Sequence, residues 1–155
     1  MPLTIVPDAG DVLMCQFDGS PPEMTKLRRV IVLTPRNRAY FPDTFLVVPV
    51  SKSRPTRPDS HHWEFKPRAY DFFDPIESVL ALRNMLTCVK KSRLDRMRIQ
   101  DRFSRAQISR ADLNSVRSAV LHAIGMQDWH QVLETKALSA IGEILKIKLL
   151  TLVVI

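Results

Sequence analysis

The chain has 155 residues, 45% of them hydrophobic and 25% charged, which suits a core-forming domain and excludes a short peptide or a disordered tail. Its 23 basic against 16 acidic residues give a formal net charge of +7, so a polyanionic partner is expected, either nucleic acid or an acidic protein. The two cysteines, Cys15 and Cys88, have neither disulfide-framework nor metal-ligand spacing, and "MPLTIVPDAGDV" lacks the basic-then-apolar order of a secretion signal; both features point to a reduced, cytoplasmic protein.

Three runs rich in Val, Ile, Leu and Phe come first: "DVLMCQF" (11–17), "RVIVLT" (29–34) and "TFLVVPV" (44–50). Turn-formers such as "DGSPP" and "TPRNR" bound them, and the three read as strands. The Pro/Arg/Ser stretch "SKSRPTRPDS" (51–60) cannot continue a sheet and reads as an exposed basic loop. Further strands are expected at 61–66, 77–82 and 85–91. The run "KKSRLDRMRIQDRFSR" (90–105) has seven basic residues among sixteen. It reads as a solvated face, with Asp95 and Asp101 offsetting some of the charge and part of it able to extend an RNA path.

The period then changes. Ser109 with Asp112 forms a capping-box pattern, and Leu113, Val116, Ala119, Val120, Ala123 and Ile124 recur at helical spacing before Gly125 stops the run. Closely spaced short strands followed by one helix predict an α+β, mainly β fold: a small, strongly curved antiparallel sheet or barrel with the helix packed on it. From Trp129 through Leu133, Ala137, Ile141 and Leu145 a second stripe predicts a helix to about residue 147, although "LKIKLLTLVVI" also fits an alternating strand. This terminal run carries two lysines and is shorter than the roughly 20 residues that cross a bilayer. The expected division is a domain at 1–125 and a C-terminal extension at 126–155.

With four glycines, no phosphate-cradling loop and no His-Glu spacing, neither a nucleotide cofactor nor a metal is expected. What remains is basic and hydroxylic. If the second and third strands run antiparallel, Arg28 and Arg29 come to one edge with Ser51, Lys52 and Ser53. A guanidinium beside a hydroxyl suits a phosphate; the alternative is solvated residues at strand ends. His61 and His62 project to opposite faces of an extended chain, which makes a poor chelate, and solvent exposure is the plain reading of both. Trp63, Phe65, Tyr70, Phe72 and Phe73 can stack on bases or fill a core. Tyr70, beside Arg68, is the better base contact.

The segments "GDVLMCQFDGSPPEMTKLRRVIVLTP", "FLVVPVSKS" and "NMLTCVKKSRLDRM" resemble, in order, the signature segments of the PemK/MazF toxin endoribonucleases over roughly residues 9–124. The resemblance implies an SH3-like curved barrel, a homodimer, metal-independent cleavage of single-stranded RNA, and a cognate antitoxin whose acidic segment occupies the RNA groove. It places the family arginine on Arg28 and the family Thr/Ser on Ser51 as catalytic residues. Arg29, Lys52, Ser53, His62, Tyr70, Arg83 and Asn84 follow as RNA contacts. Two departures stand out: Arg29 replaces the usual proline, and Asn84 replaces an acid that assists catalysis in some relatives, with Arg83 positioned to bind phosphate instead. The rival readings are a gyrase-inhibiting toxin on the same fold and a catalytically weakened, binding-only member.

Overall fold

The computed structural model describes residues 3, 5–17, 26–36, 43–51, 62–73, 80–81, 86–99, 102–103 and 105–126. Of the loop expected over 51–60, Ser51 instead ends a strand and the rest lies outside them, as do the second helix, 127–147, and most of the extension 126–155. Residues 1–124 form one compact unit.

The sheet is built on β1 (Asp11–Gln16), β2 (Leu27–Val32) and β3 (Thr44–Ser51), paired antiparallel in that order. β4 (Trp63–Glu64), β5 (Leu80–Ala81) and β6 (Thr87–Lys90) follow. β3 pairs first with β6, from Thr44↔Lys90 to Val47↔Thr87, and then with β5 through Val50↔Ala81 and Ser51↔Leu80. Pro49 lies in the gap between these two ladders, where a missing N–H takes no bond from either. After a 3-10 turn (Lys91–Arg93), β7 (Leu94–Arg96) pairs with the far side of β1. β8 (Arg98–Ile99) and β9 (Arg102–Phe103) form a separate hairpin, and β10 (Ala106–Gln107) pairs with the start of β1. One short turn thus carries the chain from the β3 edge to the β1 edge, so the sheet curls strongly. Among the described residues no pairing of β6 with β7 closes it.

The expected strands at 61–66, 77–82 and 85–91 appear only as β4, β5 and β6, shorter than the runs that suggested them. The basic run 90–105 is a larger correction: it is not one solvated face but contains β7, β8 and β9. Its arginines mask the pattern, while Leu94 and Met97 point inward and are buried. β2 also begins earlier than expected. Pairing of Leu27, Arg28 and Arg29 with Gln16, Cys15 and Met14 holds Arg28 inside the strand rather than just ahead of it. It ends where Pro35 approaches: Thr34 Oγ1 accepts the Leu46 N–H at 2.9 Å, taking over from the ladder.

Period-2 alternation divides the apolar residues between two cores. Val30, Val32, Phe45, Val47, Val89 and Leu94, with Leu13 and Cys15, fill the inside of the curl. Val12, Ile31, Val48, Val50 and Phe65 face α1 (Arg110–Ala123), which buries Leu113, Val116, Ala119 and Val120 against them. Each buried Val, Leu, Ile or Phe side chain contributes about 1.5–3 kcal/mol. Cys15 is buried and Cys88 exposed, so the two are not joined.

The Gly10-Asp11 pair proves structural. Gly10, at φ +91°, donates to Val32 O at 2.8 Å and accepts from Ile108 N at 3.0 Å, a left-handed crossing point that a side chain would strain. Asp11 is only 2% exposed; its carboxylate accepts from Asp8 N at 2.8 Å and from Arg105 Nε at 3.0 Å. Asp8 in turn accepts from Arg36 N at 2.9 Å and Ala9 N at 2.8 Å. The Arg36 N–H is the main cause holding its carboxyl below the ordinary value of 3.8, partly opposed by burial. A depressed folded-state pKa contributes stability that is fully present above the unfolded value and lost as pH falls through the folded one. Asp8→Asn is therefore expected to narrow the difference in unfolding free energy between neutral pH and about pH 3, measured by urea titration.

Candidate RNA-cleavage site

Every β2–β3 pair sums to 79: Val30↔Pro49, Ile31↔Val48, Val32↔Val47. The same register continued by two residues sets Ser51 opposite Arg28. Cys15 is the β1 partner of Arg28, and Leu80 is the shared partner of Ser51 and Glu64. One cross-strand row therefore reads Cys15, Arg28, Ser51, Leu80, Glu64. Residues directly opposite one another share a face, and Cys15 fixes that face as the inside of the curl.

Exposure rises along the row. Cys15 is buried, Arg28 and Ser51 are half-buried, and Glu64 is exposed. Arg28 thus stands half-buried on the row, next to the buried Cys15. Its Nε is buried and has no hydrogen-bond partner among the described residues. An orphaned buried donor costs about 1–3 kcal/mol, and a ligand oxygen is one of the few things that offsets it. A phosphate beside the Ser51 hydroxyl would do so, because the guanidinium fork meets two oxygens and the hydroxyl orients a third.

Arg29 does not join this row. It pairs with Met14 and, one residue along, faces the α1 side of the sheet, so tandem arginines on a strand serve opposite surfaces. His62 is half-buried and directly precedes β4. Lys52, Ser53, Arg83 and Asn84 lie outside the described residues.

Tyr70 is on the helix side. Its ring stacks on Phe72 at 5.0 Å and meets Phe73 edge-on at 5.6 Å. Its hydroxyl donates to the Asp112 carboxylate and accepts the Ser109 N–H at 2.8 Å. Burial, with the Asp112 bond second, pushes the phenol above its usual value of 10.0. The capping box therefore closes through a relay: Ser109 Oγ accepts from Asp112 N at 3.1 Å, while the return arm runs from Ser109 N through Tyr70 to Asp112. What Tyr70 visibly does is pin the aromatic loop to α1, away from Arg28. No local spacing signals that bond, since its partners are about forty positions away.

A groove along the other side, lined by Asp8, Arg36, Arg110 and Arg117, is also basic. Arg36 donates to Val6 O at 2.9 Å and Arg117 to Leu33 O at 3.3 Å, so two of its guanidiniums brace backbone. Among the described residues no helix is long and apolar enough to cross a membrane.

Solved structures share this fold. MazF from Deinococcus radiodurans superposes with a TM-score of 0.59 at 20% identity, covering 79% of this chain and 99% of that one. An endoribonuclease from a mycobacterial species gives 0.54 at 16%, covering 79% and 94%. A mycobacterial endoribonuclease in complex with its cognate antitoxin gives 0.54 at 15%, covering 77% and 96%. No curated protein matches the chain. The family described as PemK-like, MazF-like toxin of type II toxin-antitoxin system matches residues 8–124, which takes in both curled core and helix and leaves out only the ends. By that match, the chain belongs to the PemK-like, MazF-like toxins of type II toxin-antitoxin systems.

Proposed function

We propose that the chain is a metal-independent endoribonuclease that cuts single-stranded RNA, with mRNA as the cellular substrate, and that Arg28 and Ser51 act on the scissile phosphodiester. The observation that carries this reading is the buried Nε of Arg28, which has no hydrogen-bond partner among the described residues, on the row that the β2–β3 register continues to Ser51. RNA holds its own nucleophile: the 2′-hydroxyl attacks the adjacent phosphorus, the P–O5′ bond breaks, and the products are a 2′,3′-cyclic phosphate and a 5′-hydroxyl. Arg28 stabilises the dianionic phosphorane, and Ser51 orients a non-bridging oxygen. The net charge of +7 draws the backbone to the protein. Lys52 and Ser53, next along the chain from Ser51, and Arg83 and Asn84 extend the contact to neighbouring nucleotides, with His62 flanking.

Solved relatives with their antitoxins support an antitoxin partner here, one whose acidic segment occupies the same basic surface. Homodimerisation and a cytoplasmic location complete the reading.

Incubation of the purified protein with a long RNA in EDTA tests it. Discrete fragments ending in cyclic phosphate, with 5′-hydroxyl partners, are expected. Intact RNA, or cleavage that requires an added divalent ion, overturns it.

A further inference from the structure

Attack by a 2′-hydroxyl needs a proton acceptor, and neither a guanidinium nor a serine hydroxyl is one at neutral pH. The row that carries Arg28 and Ser51 supplies the missing group. β4 and β5 pair Glu64 with Leu80, and β3 and β5 pair Ser51 with the same Leu80. Glu64 and Ser51 therefore flank one residue on one face of the sheet, two strand spacings or about 10 Å apart at their backbones. Trp63, the preceding residue, packs into the core beneath α1, which turns Glu64 away from the helix and toward the Arg28 face. Glu64 is exposed and can meet a substrate.

We infer that Glu64 is the general base of the RNA cleavage proposed above, on which this inference rests. The Glu64 carboxylate takes the proton of the 2′-hydroxyl as the 2′-oxygen bonds to phosphorus. Arg28, from the other side of Ser51, holds the charge that develops on the phosphorane. The P–O5′ bond then breaks, and the departing 5′-oxygen takes a proton from solvent water. Along the row Ser51 stands between the two, with the exposed Glu64 on one side and the half-buried Arg28 on the other.

His62 and Lys66 are the titratable residues two positions to either side of Glu64, and Arg28 stands three strand spacings, about 14 Å, along the row at the backbone. β5 contributes no titratable side chain opposite it. α1 lies on the far face, where Asp112 is engaged by Tyr70. An imidazole base at position 62 is the specific rival, and the variants at the two positions separate them.

The test compares wild type, Glu64→Gln, His62→Gln and Arg28→Ala in EDTA. It records the single-turnover rate against pH, and binding to the same oligonucleotide with a 2′-deoxy block at the scissile position. Glu64→Gln is expected to slow cleavage by about 10²–10⁴-fold, to leave binding of the blocked oligonucleotide unchanged, and to abolish the acid limb of the pH–rate profile. His62→Gln keeps that limb. A Glu64→Gln protein that cuts at the wild-type rate, or retains the acid limb, overturns the assignment while wild-type cleavage and its loss in Arg28→Ala leave the ribonuclease reading standing. If wild type does not cut, that reading falls and the base falls with it.

Discussion

Replacing Arg28 by alanine is expected to lower RNA cleavage by on the order of 10²–10³-fold, with the fold intact. The magnitude follows from where the guanidinium sits. Arg28 pairs with Cys15, its Nε is buried with no hydrogen-bond partner among the described residues, and its strand is held on both sides, by β1 and by β3. A donor so fixed needs no reorganisation when charge develops on phosphorus, which is why one such group is worth several kcal/mol in rate yet little in folding. Truncation also removes an unsatisfied buried donor, so stability is expected to hold or rise slightly. Arg28→Lys keeps the charge but loses the bidentate fork, and recovers only part of the rate. Single-turnover kinetics on a defined oligonucleotide, alongside thermal melts, measure both effects.

The second large effect is on stability. Phe65 is 1% exposed and is the residue on which the aromatic loop closes: Phe73 lies at 5.0 Å between centroids and Tyr70 meets it edge-on at 6.0 Å. Phe65→Ala is expected to cost about 3–5 kcal/mol in urea unfolding. Its surroundings cannot collapse, because β4 precedes it by one residue and Tyr70 ties the following turn to the helix N-terminus. The same change loosens Glu64, its neighbour in sequence. Cleavage should therefore fall more steeply with temperature in this variant than in wild type, even where the protein remains folded.

Two kinds of information were legible in the sequence and one was not. Patterning located β1, β2, β3 and α1, because continuous apolar runs and a 3.6-residue stripe have few other solutions. Capping at Ser109 was legible for the same reason, a local motif with a local bond. The antiparallel pairing of β2 with β3 followed from the short connection between neighbouring strands. The strands within the basic run were hidden: each is two or three residues long and owes its existence to β1 or to a partner strand rather than to its own composition. Glu64 was passed over because a single carboxylate in "HHWEFK" has no significance until pairing through Leu80 sets it on the row of Ser51. Tyr70 was expected at a base and instead completes a helix cap, a bond between distant positions that no spacing reveals. Arg29 replaces a proline whose fixed φ would begin the strand; pairing with Met14 now holds that position, and its charge turns to the opposite face.

The most direct measurement is a crystal structure of the protein with an RNA oligonucleotide carrying a 2′-deoxy block at the scissile position. One phosphate is expected to accept hydrogen bonds from both the Arg28 guanidinium and the Ser51 hydroxyl, at about 2.7–3.2 Å. RNA seated instead along the Arg36, Arg110 and Arg117 groove, with no phosphate touching Arg28 and Ser51 together, would contradict the account.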